Sequence, residues 1–164
     1  MASQIESTTM HKTKNPIATD VRQGLCDRLN SLLANGIDLK LRAKQAHWNL
    51  KGHDFIALHE LFDKFAAEND EIIDSLAERI VQLGGQAYGT LQTAISRTEL
   101  APYDGEATDQ SAHLRMYTDD LAVMIEHFQQ AAEYFAEHDP LSEDLMIEIG
   151  RMLGQQLYFT ESHL

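Results

Sequence analysis

The chain has 164 residues, 43% of them hydrophobic, and 26 acidic against 13 basic side chains give it a formal charge of −13. That length holds one domain with a real core, and the charge excludes a body built on a basic face, which a nucleic-acid binder needs to displace counterions from phosphates. The single cysteine, Cys26, excludes an internal disulfide and fits a cytoplasmic protein. No apolar run approaches the ~18–20 residues that span a bilayer, and the N-terminus lacks the apolar stretch of a secretion signal. With three prolines and no strand-like alternation, an all-α fold is expected.

Residues 1–16 are polar and without period, a flexible tail ahead of a domain over 17–164. Its basic groups are Lys12 and Lys14, with Glu6 opposing. The first long helix is expected after Asn15-Pro16, capped by Thr19 or Asp20. One apolar stripe on it runs through Val21, Leu25, Leu29, Leu32, Leu39, Ala43 and Ala46, and another through Leu33, Ile37, Leu41 and Trp48. Two apolar sides are more than one core requires, so part of this helix should face another subunit. It ends near Asn49, with Gly52 as its C-terminal punctuation.

The second helix starts at Asp54 and stops at Gly84-Gly85, with Phe55, Leu58, Phe62, Phe65, Leu76, Ile80 and Leu83 inward. Its other face carries His59 and Asp63, then Asp74 and Glu78. Each pair has i,i+4 spacing, and the pairs lie eleven residues apart, about three turns, so all four line one stripe. Along the axis, however, Asp63 and Asp74 are separated by roughly 16 Å. No single metal centre bridges that gap, so one chain holds two half-sites. A second copy packed antiparallel about a two-fold axis near Glu68-Asn69 would set its Asp74 and Glu78 opposite the first copy's Asp63 and His59. Imidazole and carboxylate donors suit iron, manganese or zinc. Glu60, Glu68, Asp70 and Glu71 add acid nearby, and Asp70 falls close to the stripe.

A short helix over Thr90–Arg97, with Leu91 and Ile95 inward, and a loop through Ala101–Gly105 form a long crossover. The third long helix spans about Asp109–Glu137, and His113, His127 and His138 read as ordinary polar positions. The fourth begins near Ser142 as cap and runs to about Ser162. The order of short, long and short connections predicts a four-helix bundle with one crossover. No histidine has Glu three residues before it, which argues against the Glu-x-x-His di-iron centre held within one bundle.

Ala46-His47-Trp48-Asn49, Gly52, His59-Glu60-x-x-Asp63, Asp74-x-x-Ala77-Glu78-Arg79 and Gln82-Leu83-Gly84-Gly85 together resemble the Dps family, the DNA-binding proteins from starved cells, a miniferritin branch of the ferritin-like superfamily. The resemblance extends to Phe159-Thr160-Glu161-Ser162 and covers nearly the whole chain. It implies a hollow homo-dodecamer with ferroxidase sites at two-fold interfaces, each with His47, His59 and Asp63 from one subunit and Asp74 and Glu78 from its partner. Trp48 beside the site would contain oxidising equivalents. The implied reaction is oxidation of Fe2+ by hydrogen peroxide, in preference to O2, with ferric mineral stored in the cavity for oxidative protection; zinc could occupy the same site. Acids at the start of the last helix, Asp139, Glu143 and Asp144, would line an iron-entry pore, with Pro140 interrupting that pattern. The family's DNA binding relies on basic tails, and two lysines per tail predict weak or absent binding. The alternative is a nucleoid-associated, DNA-compacting protein with secondary metal binding; a third reading is a surface protein built on the same shell.

Overall fold

The computed structural model describes residues 7–164, which form five helices: α1 (Thr19–Asn49), α2 (Phe55–Gln82), α3 (Leu91–Arg97), α4 (Gln110–Ala136) and α5 (Pro140–Glu161). The long helices α1, α2, α4 and α5 make a four-helix bundle, with α3 in the crossover between α2 and α4. α1 pairs with α2 and α4 with α5 through short turns, while α1 packs on α4 and α2 on α5. The apolar stripes meet in one core containing Leu25, Leu29, Phe62, Phe65, Leu76, Leu114, Phe128, Phe135 and Ile149. Within it the Tyr117 ring stacks on Phe65 and meets Phe62 edge-on. Its buried hydroxyl accepts from Asn69 Nδ2 at 2.9 Å and donates to Gln156 Oε1 at 3.0 Å, while Gln156 Nε2 donates to Asn69 Oδ1 and to Glu68. Every polar group of that circuit is satisfied, as burial demands. Glu68 is thereby turned towards α5.

α2 stops where the sequence places its end. Gly84 adopts φ +83, and the amides of Gly84 and Gly85 donate to the carbonyls of Val81 and Ile80. This is a Schellman closure, which needs a residue tolerant of the left-handed region. Other expectations need correction. Asn15 accepts from the Ile17 amide and steers the chain into α1, so Thr19 is no cap; its hydroxyl accepts from Arg22 instead. Gly52 is not a left-handed cap: a Cβ there would lie 1.9 Å from Gln110 Oε1, and this close approach lets Gln110 bond the amide and carboxylate of Asp54. α5 is capped by Asp139, with Pro140 in the first turn and Ser142 buried behind it.

The expected free tail is also shorter than its composition suggests. Residues 1–6 lie outside the described residues. Thr8 is buried, its amide donates to Asp27 and its hydroxyl accepts from Asn30, while Thr9 and His11 pair with Gln86 and Gly84 through the backbone. Those backbone pairs form an isolated antiparallel bridge of Met10 with Gly85. In α3 it is Ala94 that turns inward; Leu91 and Ile95 stay exposed beside Ile37 and Leu41 of α1, because no element among the described residues covers that side. Phe55 is likewise part-exposed. No helix among the described residues is long and apolar enough to cross a membrane.

Candidate metal centre

The α1–α2 turn brings His47, in the last turn of α1, against His59, in the first turns of α2. Their rings stack with centroids 3.8 Å apart, and Phe55 lies on the outer face of His59 at 5.1 Å. The hydrogen bonds between them are reciprocal. His47 Nδ1–H donates to the His59 carbonyl at 2.7 Å, and His59 Nδ1–H donates to the His47 carbonyl at 2.8 Å. A carbonyl only accepts, so both rings carry the proton on Nδ1. In the neutral form each ring keeps a bare Nε2, through which imidazole ligates a metal, with the second nitrogen fixing its orientation.

Asp63 stands one turn beyond His59 on the exposed side of α2. Lys44 Nζ reaches it at 2.6 Å and also lies 5.5 Å from the Trp48 ring. The hydrogen bond from Lys44 holds the Asp63 carboxyl below its usual pKa, with His47 and His59 acting in the same sense. Asp63 is consequently an anion ready to bind a cation, and because its own side chain is exposed it can exchange the half-buried Lys44 at little cost. Lys44 was not singled out from the sequence, because its pairing depends on where α1 lies against α2. Asp70 has a similar partner in Lys40 of α1, at 2.5 Å.

Asp74 and Glu78 lie on the same uninterrupted helix, both exposed, with Ala77, Val81 and Ala87 forming an apolar hollow next to Glu78. Nothing in one chain brings them to His47, His59 and Asp63. Among the described residues, no three His, Cys, Asp or Glu side chains converge on one point. Apolar side chains nevertheless surround both halves: Trp48 is 65% exposed, Ile56 62% and Val81 61%. Exposed apolar surface of that extent, next to polar donors, is the mark of a face that another molecule covers.

The remaining candidates divide. Asp139 is removed from the pore group. It is only 3% exposed, accepts from the Ser142 hydroxyl, and forms an ion pair with Arg79 Nη2 at 2.5 Å. Glu143 is half-buried and Asp144 exposed in the first turns of α5. Of the histidines read as ordinary, His113 is fully buried between the Tyr103 hydroxyl and the Ala107 carbonyl, at 2.7 and 2.9 Å. Burial lowers its pKa and keeps it neutral. His127 accepts from Asn35 Nδ2, whose Oδ1 holds the Glu99 amide.

Comparison with known proteins identifies the family. Residues 26–164 match the family model described as a ferritin-like domain. The chain is 39% identical to the DNA protection during starvation protein of Agrobacterium fabrum, covering 94% of this chain and 96% of that one. It is 31% identical to the fine tangled pili major subunit of Haemophilus ducreyi, over 99% and 88% of the two chains. Among solved structures, DpsA14 from Streptomyces coelicolor superposes with a TM-score of 0.92 at 32% identity, covering 97% and 95% of the two chains. With this agreement across the full length, the chain belongs to the Dps family of ferritin-like proteins.

Proposed function

We propose that this protein oxidises Fe(II) at sites shared between two-fold-related subunits and stores the ferric product inside a hollow dodecamer, so that iron and peroxide are consumed together. The observation that carries this reading is the pinned His47–His59 pair. Two bare Nε2 atoms beside the anionic Asp63 form half of a coordination shell, and the complementary carboxylates lie three turns away on the same helix face. In an antiparallel pair centred near Glu68-Asn69, Asp63 faces the other copy's Asp74, and His59 faces its Glu78.

The donor set suits the substrate. Carboxylates bind Fe(II) and favour the more highly charged Fe(III), while imidazoles complete the shell. The same donors would accept zinc. Five side chains shared between iron ions leave positions open for the oxidant. Hydrogen peroxide is the preferred one over O2: it takes one electron from each of two Fe(II), its O–O bond breaks, and its oxygens pass to hydroxide or ferric oxide. Trp48, adjacent to the half-site and exposed in one chain, is placed to take up stray oxidising equivalents before they reach the medium. Glu143 and Asp144 are the acids left to draw Fe(II) through the shell, although an acidic first turn also suits the α5 dipole.

Replacing His59 and Asp63 together by alanine should abolish rapid Fe(II) oxidation while leaving the oligomer intact. Stopped-flow absorbance of ferric product, alongside light scattering of the assembly, checks both halves. Unchanged oxidation in an intact assembly would remove the site from this position.

The reading as a DNA-compacting, nucleoid-associated protein finds less support, so a cytoplasmic iron store is favoured. Lys12 and Lys14 lie between the pinned segment at Thr8–His11 and the start of α1, so they cannot range far from an acidic body. Twelve copies add avidity only where each arm can reach. Gel-shift titration should show no tight complex at moderate salt, and any binding at low salt should fade steeply as salt is raised.

A further inference from the structure

The crossover is fastened to α1 and α4 by a buried charged cluster that the iron site does not use. Arg42 lies at its centre. It pairs in a fork with Asp38, Nε to Oδ1 and Nη2 to Oδ2 at 2.9 Å each, and its Nη1 donates to Asp120 Oδ1 at 2.7 Å. Nη2 also donates to the Ala101 carbonyl, and the Tyr103 ring lies 5.6 Å from the guanidinium. Thr98 donates its hydroxyl to Asp38 Oδ2. Three crossover residues, Thr98, Ala101 and Tyr103, thus depend on one arginine and the acids around it.

One cation faces two carboxylates here. The Arg42 and Asp120 side chains are each 7% exposed, so with Asp38 the cluster carries a net negative charge largely out of water. Asp120 Oδ1 is satisfied by Arg42, whereas Oδ2 is buried and bonded to nothing. An unsatisfied oxygen is costlier on a buried anion than on a neutral acid. From this geometry we infer that Asp120 is a proton-uptake site: Oδ2 takes a proton as pH falls below neutral, the cluster becomes neutral, and the crossover clasp stays closed.

The two oxygens have separate tasks in this arrangement. Oδ1 continues to accept from Arg42 in both states, so protonation leaves the clasp closed. The charges facing Asp120 agree. Burial raises its pKa most, Arg42 opposes this, and Asp38 on α1 and Asp119 on α4 raise it further, to about 6. His113, another titratable group near the crossover, stays neutral and keeps its bond to Tyr103. The sign then follows. The folded chain binds this proton at a higher pH than the unfolded chain does. Asp120 therefore contributes stability that is fully present below the usual carboxyl value and is lost as pH rises through about 6.

The test uses the assembled, full-length protein. Melting temperature is recorded from about pH 8 to about pH 5 for wild type and Asp120→Asn, with infrared difference spectra over the same range. The wild type should gain stability over Asp120→Asn as pH falls, and a buried carboxylic-acid band should grow in wild type alone. Asp38→Asn, which leaves Asp120 in place, should move the midpoint of that band to lower pH because one neighbouring anion is gone. Identical pH slopes in wild type and Asp120→Asn would overturn the inference, as would an Asp38→Asn midpoint that does not move. Should Asp120→Asn fail to assemble, the Asp38→Asn shift decides alone.

Discussion

Two variants that are each inactive alone should regain Fe(II) oxidation when they are assembled together. The first carries His59→Ala with Asp63→Ala, and the second Asp74→Ala with Glu78→Ala. In a homodimer of either, both sites lack one half. A mixed pair is different: one of its sites draws both halves from altered positions, while the other draws intact His59 and Asp63 from one subunit and intact Asp74 and Glu78 from its partner. Random mixing of equal amounts restores about a quarter of the sites, given an isologous interface with two equivalent sites. The physical basis is the uninterrupted α2, Phe55–Gln82, along which Asp63 and Asp74 stay roughly 16 Å apart. The experiment unfolds the two proteins, mixes them, refolds them and measures initial oxidation rates against unmixed controls. No recovery in a properly reassembled mixture would mean that each site lies within one subunit. The amount recovered also carries information: much less than the random share would show that like chains pair preferentially.

The polar stripe on α2 was legible in the sequence because a helix repeats. His59, Asp63, Asp74 and Glu78 needed only the helical period to fall on one stripe. Gly84 was equally readable, since a glycine after the last apolar position is how a helix usually ends. What stayed hidden depends on contacts between distant segments. Lys44 holds Asp63 only because α1 and α2 are packed at a particular rotation. The His47–His59 carbonyl exchange requires the turn between them to close. Thr8 looks like tail by composition, yet Asp27 and Asn30 offer it partners one turn apart on α1. Leu91 and Ile95 looked inward because apolar residues usually are, but a seven-residue helix against one edge of the bundle has little to bury them. Asp139 is the clearest case. An acid near a helix start suits both a cap and a pore, and only the position of Arg79 on another helix decides between them.

Arg79→Ala should be strongly destabilising, although Arg79 lies outside the apolar core. Arg79 sits near the end of α2 and reaches across to the start of α5. Its Nη2 pairs with Asp139, its Nε donates to Ser142 Oγ at 2.8 Å, and Ser142 donates to the same Asp139 oxygen. The side chains of Arg79 and Asp139 are 12% and 4% exposed. Removing the arginine strands a buried carboxylate, which costs about 3–5 kcal/mol. The pH dependence tests the cause. In the wild type, burial alone would raise the Asp139 pKa, but the bonds from Ser142 and Arg79 outweigh it and hold the group below its usual value. Its contribution is therefore present above the unfolded-state value and is lost as pH falls through the lower folded-state value. In Arg79→Ala the effect of burial prevails, the folded pKa rises above the unfolded one, and the sign reverses, so acidification should recover part of the loss. Denaturant titrations at matched subunit concentration, at neutral and mildly acidic pH, measure both effects. Arg79→Lys should fall between, because it restores the charge but not the forked donor geometry. Arg79→Met combined with Asp139→Asn should recover most of the stability, since it removes the buried charge and keeps a side chain able to cap α5. A double variant as unstable as Arg79→Ala would show that the ion pair itself, and not the stranded carboxylate, supplies the difference.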